Sequence, residues 1–153
     1  MNKIKILLAF TAALSIFYFI HFLSSIFGHN IFQYYETETM AQKIEFATVL
    51  LMEIIIFISL VLISISLTRI LKSGVFTSTA AYYLKIGGYL FLSVSFADFI
   101  YALYSILEVG SPELWIQRLF TNVLLLLLGL TAVIISDILH QGSFIKQEND
   151  LTI

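Results

Sequence analysis

The chain has 153 residues, of which 59% are hydrophobic and 12% charged, and its formal net charge is −2. Its mean hydropathy is +0.97. In soluble domains about a quarter of the residues are charged, and a soluble chain of this size could not bury so much apolar surface. These values exclude a soluble enzyme or a soluble nucleic-acid-binding domain, and the net charge predicts no direct binding of nucleic acid. The lack of cysteine excludes disulfides and thiolate sites.

Four apolar stretches are each long enough to cross a bilayer as a helix, which takes about 20 residues. None alternates polar and apolar residues in the manner of a membrane β-barrel strand. The first stretch lacks a small-x-small cleavage site at its end, so we predict an uncleaved anchor rather than a signal peptide. The predicted spans are residues 4–27, 46–68, 86–107 and 115–139.

The distribution of lysine and arginine predicts the orientation of the spans, because cytoplasmic loops carry the excess of these residues. Two basic residues precede the first span, three lie between the second and third, and one follows the fourth, which makes six on one side. Lys43 and Arg118 lie on the other side. We therefore expect both termini to be cytoplasmic.

The connections between the spans are short and carry recognisable start and stop signals. Thr39 and Gln42 have the spacing of a capping box before the second span, and Gly74 predicts a break after it. Thr77 or Ser78 is a suitable cap for a third helix. Since short connections make neighbouring helices antiparallel, we predict an all-α integral membrane four-helix bundle of up-down-up-down order. It forms a single domain over residues 1–153, with a polar cytoplasmic tail over 140–153.

Small and polar residues mark the faces that should turn inward, because helices in lipid associate through such residues. Each span carries a stripe of them at helical spacing. The predicted inward faces are Thr11, Ser15, Tyr18 and Ser25 in span one, Glu53 and Ser64 in span two, Gly88, Ser95, Asp98, Ala102 and Ser105 in span three, and Asn122, Gly129, Ala132 and Ser136 in span four.

Polar side chains also recur at one depth, about 9–13 Å from the outer end of each span by helical rise. Charged groups inside a bilayer are costly, so these groups should pair with one another or be neutral. One interpretation is a small polar cavity, open to the outside, that binds a cation, a proton or a small polar ligand. The other is a structural network that fixes the register of the bundle. The predicted intramembrane polar cluster consists of His21, Glu53, Asp98, Asn122 and Arg118.

Other chemistry has little support in the sequence. No nucleophile-elbow, phosphate-loop or dinucleotide glycine motif occurs, and no histidine has metal-ligand spacing to another. We therefore expect neither an enzyme nor a bound cofactor or metal. Asp137, at the inner end of span four, is expected to lie near Arg69 or Lys72. In the tail, Leu151 is expected to pack at the helix ends.

Two cytoplasmic segments carry a family resemblance. The chain ends IKQENDLTI from Ile145, and the loop after span two reads RILKSGVF from Arg69. Both segments resemble those of the YoaS-like bacterial membrane proteins, a family with a domain of unknown function, although Val75 replaces the proline usual there. The resemblance spans essentially the whole chain and implies a bacterial inner-membrane protein that often neighbours a small helix-turn-helix regulator. It implies no activity and carries no catalytic residues.

Two functions follow as hypotheses. The first is a regulatory or interaction protein, surrounded by membrane lipid, whose cytoplasmic loop and tail hold a partner such as a DNA-binding regulator. The second is a small ion- or ligand-binding carrier that uses Glu53 and Asp98. Ser93 and Ala97 would in addition offer a small-residue face for a homo-oligomer. The predicted partner-binding residues are Arg69, Lys72, Glu148, Asn149, Asp150, Leu151, Thr152 and Ile153.

Overall fold

The computed structural model describes residues 2–28, 39–109 and 112–151; the side chains of 41, 104–109, 112–118 and 150 lie outside that description. Four helices account for nearly all of the described residues. Each is long and apolar enough to cross a membrane, and the described part contains no strand, which confirms the predicted fold class. The helices are α1 (Asn2–Gly28), α2 (Met40–Ser73), α3 (Ser78–Val109) and α4 (Pro112–Leu151).

Local sequence chemistry sets the limits of α2. Thr39 and Gln42 form the predicted capping box, in which the Gln42 amide nitrogen donates to Thr39 Oγ1 and the Thr39 amide nitrogen donates to Gln42 Oε1. At the other end, Gly74 has φ +90°, a conformation that favours glycine, and its N–H donates to the Ile70 carbonyl. The chain then turns, and α3 begins at Ser78, as predicted.

Helix α4 continues well beyond its predicted membrane span. The span was expected to end at residue 139, whereas the helix runs to Leu151. Polar residues end an apolar stretch without ending a helix, and the segment 140–151 contains no proline that would stop one. The predicted tail is therefore a helical extension of α4 as far as Leu151.

The helices pack mainly on their neighbours in the chain. The largest contact joins α3 and α4, followed by α2 with α3 and α1 with α2. Buried apolar side chains form one cluster around Leu67, Leu84 and Leu139 and a second around Leu60 and Phe91. Large apolar side chains elsewhere are exposed, as expected where a helix faces lipid.

Small residues at seven-residue spacing bring α3 and α4 close together. Gly88 and Gly129 are so near that a Cβ on either would lie 2.9 Å from the carbonyl oxygen of the other. Hydrogen bonds from serine side chains flank this point. Ser136 Oγ donates to the Ala81 carbonyl at 2.7 Å, and Ser95 Oγ donates to the Asn122 carbonyl at 2.9 Å.

Serine side chains also donate hydrogen bonds to backbone carbonyls across the α2–α3 interface. Ser59 Oγ donates to the Gly87 carbonyl and Ser66 Oγ to the Ala80 carbonyl, each at 2.7 Å, and both serines are fully buried. These bonds satisfy hydroxyl groups that have no water partner within a bilayer. Most of the predicted inward residues are buried, whereas Ser59 is a contact that the predicted stripes did not include.

Candidate functional site

The predicted polar cluster begins with a pair between α1 and α2. His21 Nδ1 lies 2.9 Å from Glu53 Oε1, and the Glu53 side chain is 11% exposed while that of His21 is 57% exposed. The other carboxyl oxygen, Oε2, is buried and has no hydrogen-bond partner in the described part of the chain. A buried carboxyl oxygen without a hydrogen bond is costly inside a membrane span.

A second polar group lies between α3 and α4. Asn122 is 3% exposed, and neither its amide nitrogen nor its amide oxygen has a hydrogen-bond partner among the described side chains and backbone. It contributes to the wall of a 670 Å³ groove whose other lining residues are mostly apolar, among them Leu92, Phe96 and Phe99. The Ser95 hydroxyl, which lines the same groove, donates to the backbone carbonyl of Asn122 and not to its carboxamide.

The structure therefore brings together His21 and Glu53, and places Asn122 at another helix interface. Asp98 is partly buried on α3. Arg118 belongs to α4, and its side chain lies outside the described residues. Because the helices pack mainly in chain order, the polar groups are distributed over successive interfaces. A single cavity that gathers all five side chains stays a prediction.

Lys85 and Asp137 form an ion pair that the sequence did not indicate. Lys85 Nζ donates to Asp137 Oδ1 at 2.8 Å, and both side chains are about half exposed. Asp137 was expected near Arg69 or Lys72. That expectation was wrong, because matching residues by depth along the helices ignores which way each helix face turns. The pair ties α3 to α4 near the end of the membrane span.

The connection between α2 and α3 packs against the extension of α4. The Phe76 ring lies directly over Gly142, where it occupies the space that a Cβ would need. A 250 Å³ cavity lies beside this contact. We call this surface the loop–tail face; it consists of Phe76, Thr77, Ser78, Thr79, Ser143, Lys146 and Gln147.

Apolar side chains on the α4 extension remain uncovered. Phe144, Ile145 and Leu151 are 53%, 60% and 86% exposed. The expected packing of Leu151 at the helix ends is therefore wrong, because this residue lies at the far end of the helical extension, where its side chain is exposed. Among the other predicted partner-binding residues, Glu148 and Asn149 lie on the same extension of α4. The Asp150 side chain, Thr152 and Ile153 lie outside the described residues.

Arg69 and Lys72 do not line the loop–tail face. They line a groove of 540 Å³ between α1 and α2. The predicted partner-binding residues are thus divided between two surfaces. No three His, Cys, Asp or Glu side chains in the described ranges are placed to hold a metal ion.

A family model described as "Protein of unknown function (DUF2975)" matches residues 29–153. The chain belongs to the DUF2975 family. No curated protein and no solved structure is significantly similar to the chain.

The DUF2975 match places the candidate sites relative to the family. The matched residues contain α2, α3 and α4, and therefore Glu53, Asn122 and the whole loop–tail face. Helix α1 precedes the match, so the His21–Glu53 pair joins a DUF2975 residue to a helix outside the matched part. The chain is an integral membrane protein with four membrane-spanning helices, of unknown activity.

Proposed function

We propose that this DUF2975 protein is a membrane interaction protein that binds a cytoplasmic protein partner through its loop–tail face. The observation that carries the proposal is the packing of Phe76 on Gly142. Through that contact, two segments separated by two membrane spans form one surface. In this role the protein binds and does not catalyse a reaction.

The exposed residues of the α4 extension support a binding role. The extension is a polar helix beyond the predicted span, yet Phe144 and Ile145 present their side chains to the surroundings beside the loop–tail face. Apolar residues bordered by polar ones mark protein interaction sites. Lys146 and Gln147, which line the cavity, supply polar groups that can select a partner.

The location and partner are inferred from charge and from the family resemblance. The loop–tail face lies on the side that carries six of the eight basic residues, which favours the cytoplasm. The resemblance to YoaS-like proteins supports a bacterial inner membrane and a helix-turn-helix regulator as the partner. Held at the membrane, such a regulator would be kept from, or presented to, its DNA according to the state of the bundle.

Site-specific photocrosslinking in native membranes tests the proposal. A photoreactive amino acid replaces Ile145 on the α4 extension. The matched control places it at Ile134, which lies on the same helix and is 58% exposed, against 60% for Ile145. We expect one cytoplasmic protein to be captured from position 145 only. The Gly142→Leu variant, which displaces Phe76, should lose this product while the chain remains in the membrane.

Equal capture from both positions, or capture of lipid alone from position 145, would refute the interaction role. So would an undiminished product in Gly142→Leu, since the partner would then not depend on the loop–tail face.

The second candidate is a carrier for an ion or small ligand. The Oε2 atom of Glu53 favours it, because it is buried with no partner among the residues that the structure describes, and a buried acceptor of this kind is a suitable place for a proton or a cation. Proton or cation flux into liposomes should then be lost in Glu53→Gln and kept in Asp137→Asn. Flux equal to that of empty liposomes in the unmodified protein would exclude the carrier.

A further inference from the structure

The groove between α1 and α2 is lined by apolar residues at one end and by basic residues at the other. Ile16 and Val61 belong to the apolar end, and the side chains of Arg69 and Lys72 form the basic end. Ser15, Ser64 and Thr68 lie between, and their hydroxyls are engaged in hydrogen bonds to neighbouring groups of α1 and α2. The lining residues that matter here are Ala12, Ile16, Val61, Ile65, Arg69 and Lys72.

The basic side chains are exposed and unneutralised. Arg69 and Lys72 lie in the last turns of α2, and neither has an ion-pair partner among the described residues. The two salt bridges within the described residues are His21–Glu53 and Lys85–Asp137. Their positive charge is therefore open to an external anion at the mouth of the groove.

The groove has the dimensions of one leaflet. Val61, Ile65, Arg69 and Lys72 share one face of α2, being four, four and three residues apart. From Val61 to Lys72 the helix rises about 16 Å, which is close to half of the roughly 30 Å hydrocarbon core. An acyl chain along Val61 and Ile65 would thus place its headgroup at the two cations.

We propose that this groove binds an anionic phospholipid. The guanidinium and ammonium groups would hold the phosphate, and the apolar walls would hold one acyl chain. Free phosphate would use only the mouth and leave the apolar length of the groove empty, so the lipid is the occupant that fits both ends. The site is separate from the loop–tail face and does not depend on the proposed partner.

Lipid titration with native mass spectrometry tests the site on the full chain. The protein is purified in a zwitterionic detergent and titrated with phosphatidylglycerol or with phosphatidylcholine of the same chains. We expect one phosphatidylglycerol bound with clear preference, and about 30-fold weaker binding in the double variant Arg69→Gln/Lys72→Gln, since each basic group at an anionic surface contributes about a factor of five.

Two further variants separate the site from general electrostatics. Lys3→Gln/Lys5→Gln removes the same charge from exposed positions that do not line the groove and should change affinity less than threefold. Ala12→Phe fills the apolar part with both cations intact and should also abolish the preferred lipid. It keeps the test decisive if the charge variant is unstable.

Three results would overturn the proposal. One is equal affinity for the two lipids, and another is an equal loss in the Lys3→Gln/Lys5→Gln control. The third is displacement of the bound lipid by millimolar inorganic phosphate, which would show that the mouth recognises a free anion.

Discussion

The close contact of α3 and α4 makes Gly129→Ala a sharp test of the fold. The new Cβ would lie 2.9 Å from the Gly88 carbonyl oxygen and 2.8 Å from Leu92 Cγ. Normal contact requires the helices to separate by roughly 0.5–1 Å. The same movement would stretch the bonds of Ser136 and Ser95 across this interface to or beyond the limit of a hydrogen bond.

The size of the effect follows from three contributions. Overpacking costs about 1–3 kcal/mol, and two membrane hydrogen bonds contribute about 0.6 kcal/mol each. Alanine returns about 1 kcal/mol of helix propensity relative to glycine. We therefore expect Gly129→Ala to lower the free energy of unfolding by about 1–3 kcal/mol.

Equilibrium unfolding in mixed micelles of dodecyl maltoside and SDS measures this, with the single tryptophan, Trp115, as the fluorescent probe. Gly28→Ala is the matched control, because no atom of the described residues lies within 4 Å of a Cβ placed there. It should leave stability unchanged. A Gly129→Ala protein as stable as the unmodified chain would show that the two backbones are not in contact.

The same unfolding assay checks three further predictions. Ser136→Ala removes an interhelical hydrogen bond and should cost about 0.6–1.7 kcal/mol, whereas Ser93→Ala, whose hydroxyl bonds within its own helix, should cost almost nothing; equal losses would contradict the interhelical bond. His21→Ala removes the side chain paired with buried Glu53 and should destabilise by about 1–3 kcal/mol, and adding Glu53→Gln should restore most of it; no restoration would mean that the cost lies elsewhere. Asn122→Leu removes an unsatisfied buried amide and should be neutral or stabilising, so a loss above about 1 kcal/mol would show that the amide has a partner.

Features set by local chemistry could be predicted from the sequence. The capping box at Thr39, the break at Gly74 and the start of α3 at Ser78 each depend on a few adjacent residues, and each is confirmed. The four spans follow from length and apolarity alone, and they are confirmed as helices. The YoaS-like assignment stays a prediction, and the broader assignment to a family of unknown function is confirmed.

Helix rotation could be predicted only in part. The stripes of small and polar residues marked faces that are mostly buried, but all four helices are apolar around most of the remaining surface, so the sequence gives little further indication of which face meets a neighbour. Ser59 was missed for this reason, and Asp137 was assigned to the wrong basic residues. A signal was present in the seven-residue spacing of Ala81, Gly88 and Ser95, which faces Ser136, Gly129 and Asn122 in antiparallel order.

The candidate sites illustrate the same limit. His21 and Glu53 could be associated by depth, because α1 and α2 are adjacent in both sequence and space. The cluster shared by all four spans stays a prediction, since the Arg118 side chain lies outside the described residues. The contact of Phe76 with Gly142 was not foreseen, because residues 140–153 were predicted only as a polar cytoplasmic tail, whereas 140–151 continue the helix.

The side of the membrane on which the loop–tail face lies tests the proposed function most directly. Since the chain has no cysteine, single cysteines can be placed at Gln147 on this face and at Thr39 at the opposite end of α2. Intact cells are treated with a maleimide that cannot cross the membrane. We predict labelling of Thr39→Cys in intact cells, and of Gln147→Cys only after the membrane is opened. Labelling of Gln147→Cys in intact cells would place the face outside and contradict a cytoplasmic partner.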